Sequence, residues 1–126
     1  DYALSFANQT IEAASKVKDQ PDFSFDYMMK VEPVIMKAGT SLDKEYLYNS
    51  VYKLRKTKNI DEALKANVIV AYAHYLFAEK LEVKKSIKML NEAKKILEGI
   101  NDTKSAEVVQ EKIHELERIE EEANKK

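Results

Sequence analysis

Cysteine is absent from all 126 residues, which excludes disulfides, thiol nucleophiles and zinc-thiolate sites together. Glycine and proline are nearly absent too, with two of each. From Thr40 to Lys126 there is no proline, and Gly99 is the only glycine. Arginine occurs only as Arg55 and Arg118, and bidentate reading of phosphates or base edges favours guanidinium groups. The net charge of −1 adds no electrostatic steering, so nucleic acid is not an expected partner. No apolar run approaches the ~20 residues of a membrane span. The opening residues lack a charged segment followed by an apolar one. A soluble chain with no membrane span is expected, and its compartment and oligomeric state stay open.

What is present is a helical pattern. Apolar residues make up 44% and charged residues 34% of the chain, the balance of one soluble domain with a charged helical surface. Leu4, Ala7, Ile11, Ala14 and Val17 recur at helical spacing before Pro21. Phe23 to Val31 fits either a strand, by alternation, or a helix; with no partner strand elsewhere, a helix kinked or broken near Pro33 is preferred. Thr40 with Asp43 has capping-box spacing, and Leu47, Val51 and Leu54 form the stripe of the helix that follows. Asn59 with Glu62 repeats that spacing before an apolar segment containing Val68, Val70, Ala73, Leu76 and Phe77. A turn is expected near Lys80 to Glu82, then a helix through Ile87, Leu90, Ala93 and Leu97 to Gly99. Asn101 or Asp102 caps the last helix, whose seam is Ala106, Val109, Ile113 and Leu116. The prediction is an all-α fold of about six antiparallel helices stacked as helical hairpins in a single domain, 1–126. Its parts are N-terminal helices over 1–39, a hairpin stack over 40–122 and a frayed tail over 123–126.

From about Leu47 to Ile100 this organisation resembles tetratricopeptide-type helical hairpins. Lys58 to Leu64 looks like that family's turn into its second helix. In another register, Val70, Ala73, His74 and Phe77 fall where the first-helix signature lies, with Ser86, Leu90 and Ala93 in the second helix. The resemblance implies a stack of antiparallel hairpins and an interaction role.

Candidate sites follow from residue type and spacing. Tyr48, Tyr52, Tyr72 and Tyr75 lie on two successive predicted helices, and tyrosine is enriched at recognition surfaces. These four are the predicted partner-binding residues. Phe25, Met28, Met36 and Phe77 are the alternative, an apolar pocket for a small molecule. His74 and His114 stand on separate helices without further ligands at metal-binding spacing, so no metal or cofactor is expected. The glutamates from Glu107 to Glu122 have the spacing of a solvated helix face, not of paired catalytic carboxylates. Lys84, Lys85, Lys88, Lys94 and Lys95 make the penultimate helix basic, and their pairing with the acidic last helix is expected to align the two. The function that emerges is a noncatalytic adaptor or scaffold module that binds a protein or peptide. A sensor-like small-molecule-binding bundle is the alternative.

Overall fold

The computed structural model describes residues 2–125, and all regular structure in them is helical. Six α-helices run in the order α1 (Tyr2–Lys16), α2 (Pro21–Ala38), α3 (Ser41–Lys53), α4 (Glu62–Ala78), α5 (Val83–Gly99) and α6 (Thr103–Asn124), with a short 3₁₀ turn at Leu54–Lys56 after α3. The chain divides between Ile60 and Asp61 into two compact units. The expected boundary after residue 39 is not a division, since α3 belongs with α1 and α2.

In the first unit a hydrogen bond between distant residues ties each pair of helices. Ser24 Oγ donates to Ala14 O at 2.9 Å between α1 and α2. Asn8 Nδ2 donates to Asp43 Oδ1 at 3.1 Å between α1 and α3, and Tyr48 Oη donates to Glu32 Oε2 at 2.6 Å between α2 and α3. Ala7, Ile11, Met28, Ile35, Leu47 and Val51 are enclosed. Residues 23 to 31 are helical, and α2 runs through Pro33 instead of breaking there. Pro33 sits on the exposed side of α2, where the Met29 carbonyl it leaves without a helical donor can turn to water. α3 starts with the expected capping box: the Asp43 N–H donates to Thr40 Oγ1 at 3.3 Å, and the Thr40 N–H donates to Asp43 Oδ2 at 2.8 Å. The Thr40 N–H foremost, then the Thr40 hydroxyl and the Asn8 amide, all donating to the Asp43 carboxylate, hold that carboxyl below the usual range.

In the second unit α5 is central and packs against both α4 and α6. Asp61, not Asn59, caps α4, its Oδ2 accepting from the Leu64 N–H at 3.2 Å. Asn59 instead turns the preceding loop with φ 61°. Asp102 caps α6 through the Ser105 N–H at 3.1 Å. Gly99 ends α5 as expected, but the left-handed residue that closes it is Asn101, φ 61°. With Asp102 N–H to Leu97 O at 2.9 Å and Asn101 N–H to Glu98 O at 3.1 Å, this is a Schellman termination. The seam of α6, Ala106, Val109, Ile113 and Leu116, is buried. The helix itself continues to Asn124, beyond the point where its apolar spacing ends.

Candidate functional site

Three helices of the second unit shape an open groove of about 240 Å³. Its α4 wall is Val70, His74 and Phe77, four and three residues apart and therefore on one side of the helix. The α5 floor is Ser86 and Leu90, and the α6 wall is Lys112, Glu115 and Leu116. The groove exists because α4 and α6 both pack on α5 and hardly on each other.

Ser86 explains how α4 and α5 come together. Its side chain is fully enclosed, and Oγ donates to Ala73 O at 2.7 Å. A small hydroxyl lets the two backbones approach, and it satisfies its own polar group in doing so. Ser86 and Leu90 are almost wholly enclosed, so the apolar surface of the groove comes mainly from the half-buried Val70 and Phe77. Leu90, Ala73 and Ala93 are buried as the sequence suggests, but Val70, Phe77 and Ile87 are only half-buried. Val70 and Phe77 flank the groove, because α4 presents more apolar surface than α5 covers.

The rim is polar and its charges are not tied down. His74, Lys112 and Glu115 are exposed, and among the described residues none of them closes an ion pair. The lysines of α5 and glutamates of α6 likewise form no ion pairs with each other among the described residues. The expected charge pairing between these helices is thus not what aligns them; the buried seam is.

The four predicted tyrosines have unequal surroundings. Tyr48 and Tyr75 are 2% and 3% exposed, so neither ring presents a face to solvent. Tyr52 is half-buried under the Arg55 guanidinium, 3.6 Å above its centroid. Tyr72 is half-buried with its ring 5.9 Å from that of Tyr75. Of the alternative set, Met28 is fully enclosed, Phe25 and Met36 are half-buried on α2, and Phe77 belongs to the groove.

Among the described residues no three histidine or carboxylate side chains gather to hold a metal ion, and no helix is long and apolar enough to cross a membrane. Of the α6 residues in the groove, Glu115 has the spacing of a solvated face and Leu116 that of the seam, and nothing in the sequence singles out Lys112. Only the approach of α6 to α5 turns them toward the side where Val70, His74 and Phe77 lie. No protein-family model, curated protein or solved structure matches the chain.

Proposed function

We propose that this chain is a noncatalytic interaction module of tetratricopeptide-like helical hairpins that binds a protein or peptide segment in the α4–α5–α6 groove. The observation that carries this reading is the groove, with apolar surface at Val70 and Phe77, one hydroxyl that is already engaged and a polar rim on both sides. Such a surface accepts apolar side chains from a segment laid along it while rim groups set its orientation. The volume favours a peptide over a small molecule. At about 240 Å³ it lies below the several hundred cubic ångströms that enclose a drug-sized ligand, and it is not closed off from solvent. The groove's one hydroxyl, Ser86 Oγ, donates to the Ala73 carbonyl and not to His74, so the groove lends the catalytic alternative no support.

The test is selection of random displayed peptides on the whole chain, followed by titration of the enriched ones against Val70→Glu and His74→Ala. Binding is expected to fall by at least about tenfold for Val70→Glu, since a carboxylate on the wall must be desolvated. Separate Tyr52→Ala and Tyr72→Ala variants test the tyrosine surface. Loss of binding in these, with Val70→Glu unaffected, would move the site away from the groove.

A further inference from the structure

The first unit holds a concavity of about 540 Å³ between the turn from α1 to α2 and one side of α3. Tyr46, Ser50 and Lys53 line it at spacings of four and three, which places them on the same face of α3. Ser50 is the unusual member. Of the buried serines among the described residues, Ser24 and Ser86 each donate to a carbonyl across a helix pair. Ser50 is equally a core residue, 9% exposed, but its Oγ makes no hydrogen bond among the described residues, not even to the carbonyl one turn back that Ser15 uses on α1. A hydroxyl so enclosed is costly to leave without a partner. Unlike Asn8 Oδ1, it is not sealed off, and the space it borders is this concavity.

Charge points to what enters. Lys18, Lys53 and Lys58 line the space against a single carboxylate, Asp19, a balance of +2. Among the described residues none of these four closes an ion pair. The last turn of α1 and the first of α2 both border the space, so their opposite dipole ends offset and the side chains set its sign. We propose that the concavity binds a small phosphate monoester with an apolar body. Such a phosphate carries about two negative charges at neutral pH, which answers the lining, whereas a monocarboxylate leaves one lysine unanswered. Its oxygens accept from Ser50 Oγ, and the lysines reach them on flexible stems as point charges. Val17, Pro21, Leu54 and the Tyr46 ring supply apolar walls, and the volume is that of a small-molecule site, well beyond what a bare phosphate fills. This site lies in the first unit and does not rest on the peptide-binding reading.

The test titrates phenyl phosphate into the whole chain and follows amide chemical shifts, with inorganic phosphate and benzoate as parallel probes. Saturable shifts are expected around Ser50, Lys53 and Lys58, with affinity that falls as salt is raised. Inorganic phosphate and benzoate should each bind at least about tenfold more weakly. Ser50→Ala and Lys53→Gln are each expected to weaken phenyl phosphate by about fivefold or more. Ser50→Ala also reads the free protein: losing a hydroxyl without a partner should leave the urea midpoint unchanged or higher, whereas losing a structural one lowers it. Shifts that do not saturate, benzoate as tight as phenyl phosphate, or wild-type affinity in both variants would overturn the proposal. Inorganic phosphate as tight as phenyl phosphate would overturn the apolar body, and a lowered Ser50→Ala midpoint the role given to that hydroxyl.

Discussion

Ser86 Oγ lies 2.7 Å from the carbonyl oxygen of Ala73, and both residues are wholly enclosed where α5 crosses α4. The first unit repeats the device with Ser24 and Ala14 at 2.9 Å between α1 and α2. Each pair sets how closely its two helices approach. Ser86→Ala is expected to cost about 0.5–1.5 kcal/mol for the lost hydrogen bond. Ser86→Leu should cost about 1–3 kcal/mol or more, because the added methylenes have no space. Urea denaturation of the two variants checks the order, and a neutral Ser86→Leu would show that α4 and α5 can separate freely.

Leu81→Gly is expected to raise stability by about 1 kcal/mol, since the left-handed backbone at φ 56° suits glycine and the exposed leucine loses no core contact. Thermal denaturation measures it. A lower midpoint would mean that Leu81 supports the turn between α4 and α5 in a way its exposure hides.

Gly39 is held by close approach instead of by a left-handed backbone. A Cβ built there would stand 2.5 Å from the Ile35 carbonyl oxygen, so Gly39→Ala must displace the end of α2 from the start of α3. A loss of about 1–3 kcal/mol is expected; a denaturation midpoint unchanged from wild type would contradict it.

Acid should loosen the start of α3. The Asp43 pKa is lowered first by its bond from the Thr40 backbone, then by Thr40 and Asn8 side chains. A carboxyl with a lowered folded pKa contributes stability that is complete above its ordinary value and lost as pH falls through the lowered one. Amide exchange at Asp43 and Lys44, followed as pH is lowered through the carboxylate range and corrected for intrinsic rates, is expected to lose protection; Asp43→Asn should remove that pH dependence.

Along α6, Ile113→Ala should cost about 2–5 kcal/mol, because its side chain is 2% exposed within the seam. Hydrogen exchange is expected to be slow near Val109 and Ile113 and fast beyond Glu121. The helix extends to Asn124, but Glu121 to Lys125 are exposed, with long ion pairs from Lys125 to Glu121 and Glu122. Equal exchange along α6 would show that the seam does not anchor it.

Some of this was legible in the residues. The seam of α6 has spacings of three, four and three with charged residues between, so only one side of that helix can be buried. The cap at Thr40 and Asp43 was readable because it is a local arrangement of two side chains and two N–H groups. α4 was harder. Its buried residues, Ala66, Val68, Ile69, Ala73, Tyr75 and Leu76, occupy several sides of the helix, so spacing alone could not separate the flank that α5 covers from the flank carrying Val70 and Phe77. The turn at Leu81 was located without glycine or proline, but nothing in its composition pointed to a leucine in the left-handed region.

What the sequence determined by itself was the helical class, the approximate ends of most helices and the inward side of α6, all consequences of periodicity and capping among residues close along the chain. Tertiary structure alone decided that the units divide between Ile60 and Asp61, that Ser86 meets Ala73, and that Val70, His74 and Phe77 share a groove with Lys112 and Leu116. The physical reason is that a helix carries its apolar stripes wherever it goes. Which stripe is covered depends on how closely its neighbours cross it, and that distance is set by small side chains far apart in the chain.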